Sequence, residues 1–387
     1  MLDESALTQG SLIVVGNINR DVKTSPISGG AAILSDGETA AESITETIGG
    51  GGANAAFAAA ALGGRVAFLG KVGDDDLGRR LQARLEKSGI LARLALDREN
   101  PTGTSIALAY DSGHRHFISH LPSSRTLRFE DLDLASGCGA GVPRACGAGV
   151  SPACVEGVSP ACVEGVSPAS SPFLAVSSSE QQQQRQDRER DARDTRGQDV
   201  RDTSSGLSGF AHLLRADIWF SEPMLFGGNE KLFLWARGRN IPVSMDLNWD
   251  PLWGRGSEAE IDRRKQAALD VLPLVTIAHG NVRELCACTR TDDLESALRR
   301  LERCGAPAVL VHMGEKGAGY YSGGKLEVVP ATPARRRLHA TGTGDVLSVC
   351  AMLLHARQDV PVTGRLMLAN RIVTEFIEGR RTLIPAL

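Results

Sequence analysis

A glycine-rich segment near the C-terminus, RLHATGTGDVLS, places an aspartate directly ahead of an apolar run. Glycines before a helix let successive backbone N–H groups point at one spot, where the helix N-terminus adds about half a positive charge. Gly342, Thr343 and Gly344 could thus stabilise a phosphoryl group in transfer, and Asp345 could accept a proton from a hydroxyl nucleophile. The residues alone leave a second interpretation open, in which Asp345 is only the N-cap of the helix.

A second glycine cluster, ETIGGGGANAAFAAAALGG, lies far upstream and runs into an alanine-rich stretch. Gly50 and Gly51 would let the backbone approach a ligand closely, and the amide of Asn54 can bind hydroxyl groups. Asn19 and Asp21 follow the first apolar run, SLIVV, and Asp21 could hold sugar hydroxyls there. A flexible loop and a further helix cap are the alternative interpretations of these two segments.

Two shorter motifs lie between the glycine clusters. Asn281 and Glu284, in HGNVREL, would share one face at the start of a helix, where an amide and a carboxylate could organise water around Mg²⁺. A simple capping pair is the alternative for these two residues. Gly314 and Gly317, in HMGEKGAGYY, predict a turn that could pass beneath phosphates.

The elements that must position these residues alternate along the chain. Predicted strands alternate with predicted helices, which indicates βαβ units and a mostly parallel sheet. Ligands of such sheets bind beyond the carboxyl ends of the strands, where most of the motifs fall. The predicted strands are SLIVVGNINRD, RVAFLGKVG, ADIWFSE, IPVSMDLNW, LVTIAHGN and PAVLVHMG. The predicted helices are the alanine-rich stretch, DDLGRRLQARLEKSG, NEKLFLWARGRN, EIDRRKQAALDVLP and DDLESALRRLERCG, and the predicted hairpins are TGTSIALAYDSGHRHFISH and GAGYYSGGKLEVVP.

Composition limits the class of protein. The chain has 387 residues, 42% of them hydrophobic and 23% charged, with a net charge of -3. This balance favours neither nucleic acid nor an anionic membrane as a partner. The sequence contains no apolar run near the roughly 20 residues that span a bilayer and no signal peptide pattern at its start, so we expect a cytoplasmic protein whose cysteines are thiols.

Residues 136–205 differ in composition from the rest of the chain. Four octapeptides of the types CGAGVSPA and CVEGVSPA follow one another, and a run of mixed charge, RQDRERDARDTRGQDVRD, comes after them. Such a segment has too little apolar surface to offset its ordering entropy, which predicts a disordered insert. A metal-binding array or a docking segment is the alternative, although thiols eight residues apart lack the close pairing of zinc sites.

Taken together, the motifs resemble those of the ribokinase-like (PfkB) carbohydrate kinase family. The upstream signature of that family is matched by Gly50, Gly51 and Asn54 with the following LGKVGDDDLGRRL, and its downstream signature by HATGTGD. NVRE and GEKG match two further motifs of the family in the same order. The resemblance extends from about Leu12 to the end of the chain, apart from the insert. It implies an α/β, ribokinase-like fold with a central mostly parallel sheet flanked by helices and a small β-strand lid.

The resemblance also implies an activity, namely ATP- and Mg²⁺-dependent phosphorylation of a hydroxyl, in particular a hydroxymethyl group, of a small sugar or nucleoside. Asp345 would be the catalytic base, and the turn at Gly342, Thr343 and Gly344 would be the anion hole. The remaining implied roles are substrate binding by Asn19, Asp21, Gly50, Gly51 and Asn54, ATP binding by Asn281, Gly314, Gly317 and Asn370, and Mg²⁺ binding through water by Asn281 and Glu284.

The same resemblance divides the chain into parts. Residues 12–135 would form the N-terminal part of the kinase domain, with lid strands at about 21–47 and 102–120 that could also form a homodimer interface. Residues 206–387 would form the C-terminal part, with the ATP site and Asp345.

Three departures from the family pattern limit these implications. His339 and Ala340 replace an aspartate and a threonine of the signature, which makes activation by a monovalent cation doubtful. Thr343 replaces an alanine but keeps its backbone N–H, and Asp250 stands where many relatives have a basic residue, which disfavours an acidic substrate. A catalytically weak sugar- or nucleotide-binding protein, or a vitamin kinase of the same fold, are the alternative functions.

Overall fold

The structure is a computed structural model that describes residues 2–28, 35–111, 115–134, 206–337, 342–385 and 387. The predicted insert at 136–205 lies outside the described residues, as do part of the first predicted lid segment and the two departures at His339 and Ala340.

Within these residues the chain forms two sheets. The strands are β1 (Ser11–Val15), β2 (Asn19–Thr24), β3 (Ile44–Gly49), β4 (Arg65–Gly73), β5 (Leu91–Asp97), β6 (Thr104–Ala109), β7 (Arg115–His120), β8 (His212–Arg215), β9 (Val243–Asp246), β10 (Ile277–Asn281), β11 (Ala308–His312), β12 (Ala318–Ser322) and β13 (Lys325–Val329). The large sheet has the order β13-β12-β11-β10-β9-β8-β1-β4-β5. Its strands pair in parallel from β11 to β5, and β12 and β13 form an antiparallel hairpin at one edge.

The second sheet is small and has the order β3-β2-β6-β7. In it, β2 pairs antiparallel with β3 and parallel with β6, and β6 pairs antiparallel with β7. Large apolar side chains of this sheet reach solvent at Ile44, Ile106, Phe117 and Ile118. The predicted fold class, a mostly parallel sheet with a small separate β-element, is confirmed.

The helices follow from local sequence signals. In the helix Asp76–Lys87, the N-cap Asp75 accepts a hydrogen bond of 2.7 Å from the backbone N–H of Gly78, and Leu81 and Leu85 are buried on one face. The helices of the described residues are α1 (Ser5–Thr8), α2 (Gly51–Ala61), α3 (Asp76–Lys87), α4 (Pro122–Arg125), α5 (Asn229–Arg237), α6 (Glu258–Asp270), α7 (Val282–Thr289), α8 (Leu294–Arg303), α9 (Thr343–Leu353) and α10 (Val362–Ile377). None of these helices combines the length and the apolar character that crossing a bilayer requires.

Both faces of the large sheet are covered, because alternate residues of its strands enter two different hydrophobic clusters. In β1, Leu12 and Val14 pack into the cluster that contains α2, α9 and α10, whereas Ile13 and Val15 pack into the cluster that contains α5 and α8. The continuous apolar run of β1 is therefore explained by burial on both sides. The cysteines that the structure describes are free thiols, as predicted: Cys286, Cys288, Cys304 and Cys350.

One predicted strand was wrong. The segment ADIWFSE is not a strand, because β8 comes earlier and ends at Arg215. Asp217 has a φ of 55°, in the left-handed region that interrupts an extended chain. Its carboxylate is directed to the start of α2, which packs against β1.

Candidate active site

The two glycine-rich segments meet at Asp345. Helix α9 begins after Gly342, whose φ of 82° needs a glycine, and Asp345 lies in the first turn. The side-chain amide of Asn54, in α2, donates a hydrogen bond of 3.3 Å to Oδ2 of Asp345. The N-cap of α9 is Gly342, so the alternative interpretation of Asp345 as the N-cap is wrong.

The environment of Asp345 raises its pKa to about 8. The largest cause is burial, and the negative charges of Asp217 and Glu284 act in the same direction, while the hydrogen bond from Asn54 opposes them. A carboxyl group with a pKa near neutrality can both take up and release a proton at physiological pH, as a general base must.

Asp217 is a residue of this site that the sequence interpretation missed. Its carboxylate accepts hydrogen bonds from the backbone N–H groups of Asn17 at 3.0 Å, Gly52 at 2.8 Å and Gly51 at 3.3 Å. The amide of Asn248 adds a fourth at 3.3 Å. The sequence signal was an acid shortly after the apolar residues Leu213 and Leu214, and the predicted strand ADIWFSE included that acid. Asp217 thus neutralises the N-terminus of α2 and holds the glycine loop against the end of β1.

The residues predicted to bind substrate lie on the small sheet and on the glycine loop. Asn19 donates a hydrogen bond of 2.8 Å to Oδ1 of Asp21, and burial raises the pKa of Asp21. A Cβ on Gly49 would lie 1.9 Å from that carboxylate, and a Cβ on Gly50, where φ is 96°, would lie 2.3 Å from the carbonyl oxygen of Asn17. Glycines are therefore required for the loop to pack against the start of β2.

The four residues predicted to bind ATP line one cavity of about 580 Å³: Asn281, Gly314, Gly317 and Asn370. Thr343 and Gly344 line the same cavity, which therefore extends to the N-terminus of α9. The amide of Asn370 donates hydrogen bonds of 3.0 Å to the carbonyl oxygens of Val329 and Pro330, so this side chain also fixes the chain that forms one wall. A cavity of similar volume between α6, α7 and α8 contains none of the predicted site residues.

Asn281 and Glu284 form a reciprocal capping box at the start of α7. The backbone N–H of Glu284 donates to Oδ1 of Asn281 at 3.0 Å, and the backbone N–H of Asn281 donates to Oε2 of Glu284 at 2.8 Å. The capping interpretation is therefore correct for both residues, and it does not exclude a second role, because a carboxylate has further acceptor positions.

The surroundings of this box fit a hydrated divalent cation. Burial raises the pKa of Glu284, and burial together with the charge of Glu284 raises the pKa of Asp246 well above its usual range. Crowded carboxylates of this kind are stabilised by a cation. The described residues include no group of three or more His, Cys, Asp or Glu side chains that could hold a metal ion.

Comparison with known proteins finds relatives of this chain. The model of the pfkB family carbohydrate kinases matches residues 10–138 and 250–358, more than half of the chain. A fructokinase of Vibrio alginolyticus is 40% identical over 76 residues, which are 19% of this chain and 25% of that protein. The chain thus matches only about a quarter of the length of its curated relatives.

Solved structures show the same fold. A putative ribokinase II of E. coli, in complex with ATP and Mg²⁺, has a TM-score of 0.63 at 16% identity, covering 97% of this chain and 94% of that chain. The adenosine kinase of Sinorhizobium meliloti has a TM-score of 0.62 at 16% identity, covering 95% and 94%. At this identity the likeness concerns the fold alone, which is the ribokinase-like α/β fold. With the family match over both halves of the site, the chain belongs to the pfkB family of carbohydrate kinases.

Proposed function

We propose that this protein is an ATP- and Mg²⁺-dependent kinase that phosphorylates a hydroxyl, in particular a hydroxymethyl group, of a small sugar or nucleoside. The observation that carries the proposal is the position of Asp345. On one side it contacts Asn54 of the glycine loop, and on the other its neighbours Thr343 and Gly344 line the cavity. A group at this place can act on a substrate hydroxyl and lies next to donors suited to phosphate.

In the proposed reaction, the carboxylate of Asp345 takes the proton of the substrate hydroxyl as its oxygen attacks the γ-phosphorus of ATP. The new O–P bond forms while the bond between the γ-phosphorus and the bridging oxygen breaks, and ADP leaves. The backbone N–H groups of Gly342, Thr343 and Gly344 would stabilise the charge on the phosphoryl oxygens. Asn281 and Glu284 would hold Mg²⁺ through water, and the bound ion would neutralise phosphate charge.

The names of the relatives support a sugar or nucleoside as the substrate class, since they include a fructokinase and an adenosine kinase. Within this class, Asn19, Asp21, Gly50, Gly51 and Asn54 would bind the hydroxyl groups, because buried amide and carboxylate groups of the small sheet lie beside the glycine loop. The exposed apolar side chains of that sheet support, as a further proposal, a homodimer formed through the lid. Activation by a monovalent cation depends on His339 and Ala340, which lie outside the described residues.

The test is the variant Asp345→Asn, which keeps the shape of the side chain and removes its basicity. We expect kcat to fall by about 10³-fold, because proton abstraction by a positioned base contributes at this scale. The measurement is coupled-assay turnover of ATP over a panel of sugars and nucleosides. Asp359→Asn, an exposed residue paired with Arg357, is the control and is expected to keep full activity. Turnover of Asp345→Asn at the rate of the unmodified protein would refute the assignment of the base.

We also propose that residues 12–135 and 206–387 form the kinase domain without the predicted insert, and deletion of the insert tests this. Deletion of residues 136–205 is expected to leave kcat within about twofold, because long surface insertions cost little conformational free energy. Turnover and thermal unfolding of the shortened chain are the measurements. Loss of cooperative unfolding would contradict the proposal that 12–135 and 206–387 form the kinase domain without the insert.

A further inference from the structure

The buried side chains of His279 and Ser348 and the half-buried side chain of His312 form a chain of hydrogen bonds that ends at the cavity. Oγ of Ser348, in α9, lies 3.0 Å from Nδ1 of His279, in β10, and 2.9 Å from Nε2 of His312, at the end of β11. Oδ1 of Asp246, in β9, lies 3.5 Å from Nδ1 of His279. None of these contacts has a place in the reaction described above.

The contacts define the direction of the chain. A serine hydroxyl has one proton, so Ser348 donates to one imidazole and accepts from the other. A proton on Nδ1 of His279 leaves Nε2 of the ring, which is buried and unpaired, as a bare acceptor instead of an unpaired donor. Ser348 then accepts from His279 and donates to Nε2 of His312.

It follows that His312 has its own proton on Nδ1. Nε2 of His312 accepts from Ser348, so the one proton of the neutral ring lies on Nδ1. His312 lines the cavity. A Cβ placed on Gly344 would lie only 3.0 Å from Nδ1 of His312, so this nitrogen lies beside the N-terminus of α9. The glycine at this position lets the backbone of α9 approach the ring closely.

We propose that His312 is a side-chain donor to a phosphate oxygen of the nucleotide, through Nδ1–H, and that Ser348 and His279 are positioning residues that fix its tautomer. The proposal rests on the proposed function, since it requires a nucleotide in the cavity. It adds a neutral side-chain donor beside the backbone N–H groups of α9. Because the ring is held by Ser348 of α9 itself, the donor and the helix N-terminus are positioned as a unit.

Two isosteric variants separate the two ring nitrogens. His312→Asn keeps an amide N–H near the position of Nδ1, whereas His312→Gln reaches the position of Nε2 and keeps the contact with Ser348 but leaves no donor at Nδ1. We expect the dissociation constant of the β,γ-imido analogue of ATP to rise about tenfold in His312→Gln and in His312→Ala and to stay within about threefold in His312→Asn, as measured by calorimetry. Binding of adenosine, which has no phosphate, is expected to change in none of them.

The positioning role has its own measurement. In protein with ¹⁵N-labelled histidine, long-range NMR spectra distinguish a protonated from a bare ring nitrogen, and the signals of His312 are those absent in His312→Asn. We expect the Nδ1–H tautomer in the unmodified protein and a mixture of tautomers in Ser348→Ala. Ser348→Ala is also expected to raise the KM for ATP while the KM for the phosphoryl acceptor stays the same.

Four results of these measurements would contradict the role proposed for His312. The proposal would be overturned by equal losses of affinity in His312→Asn and His312→Gln, or by unchanged binding of the ATP analogue in His312→Ala. It would also be overturned if the unmodified protein did not bind the analogue, or if His312 had the Nε2–H tautomer. Calorimetry needs no phosphoryl transfer, so a failure of this inference is distinct from a failure of the kinase assay. Thermal unfolding of each variant separates loss of the donor from loss of the fold.

Discussion

The N-termini of α2 and α9 are built from similar glycine-rich sequences and have opposite environments. At α2, the backbone N–H groups of Gly51 and Gly52 donate to a carboxylate of the chain itself, Asp217. At α9, the N-cap Gly342 offers no side-chain acceptor to the N–H groups of the first turn, and Thr343 and Gly344 line the cavity. The same local chemistry therefore makes one structural anion site and one site that is accessible to a ligand.

The difference shows that a glycine-rich helix start is not by itself a ligand site. What decides its role is the partner that the fold brings to it from elsewhere in the sequence. The two ends are also coupled, because Asp217 raises the pKa of Asp345 through its charge. The contrast can be tested by changing each carboxylate in turn.

The largest effect is expected for Asp217→Ala. Removal of this carboxylate leaves the buried N–H groups of Asn17 and Gly52 without their acceptor, and Arg215, buried nearby, loses a compensating charge. We expect the free energy of unfolding to fall by about 3–5 kcal/mol, measured by urea denaturation.

The matched control is Asp345→Ala at the other helix. The folded-state pKa of Asp345, about 8, is above its usual value of 3.8, so its contribution to stability is fully present below pH 3.8 and is lost as the pH rises from there to about 8. Asp345→Ala is therefore expected to be at least as stable as the unmodified protein at pH 8.5. If Asp217→Ala and Asp345→Ala destabilise the protein equally, the two carboxylates have the same structural role at the N-termini of α2 and α9.

The second prediction concerns the pH dependence of activity. Because Asp345 must be ionised to act as a base, kcat/KM is expected to fall about tenfold for each pH unit below 8 and to level off above it. Initial rates between pH 6 and 9 at low acceptor concentration give this profile for the free enzyme. A rate independent of pH between 6 and 8 would contradict the pKa and the role of the α9 carboxylate.

The fold and the clustering of several predicted site residues could be predicted from the sequence. Alternating strands and helices place the ends of β1, β10 and β11 at one edge, so Asn281, Gly314 and Gly317 were expected near each other and line one cavity. Asp217 was missed because its partner Gly51 is 166 residues away, and no periodicity records such a contact. His312 and Ser348 were missed for the same reason, since each looks like an ordinary residue of a buried strand or helix.

The smallest effect is expected for Asp217→Asn, which keeps the size of the side chain and one acceptor oxygen at α2 but removes the charge. Because the charge of Asp217 raises the pKa of Asp345, its removal should move the acid limb of kcat/KM to lower pH, by less than about one unit for one partly screened charge. Asn54→Ala should move the limb in the opposite direction, because the hydrogen bond from Asn54 lowers that pKa. If both variants move the limb in the same direction, the two helix starts are coupled through packing and not through charge. If the directions are opposite, the charge of Asp217 at α2 raises the basicity of Asp345 at α9. The carboxylate that binds the N-terminus of α2 would then contribute to the proposed catalysis at α9.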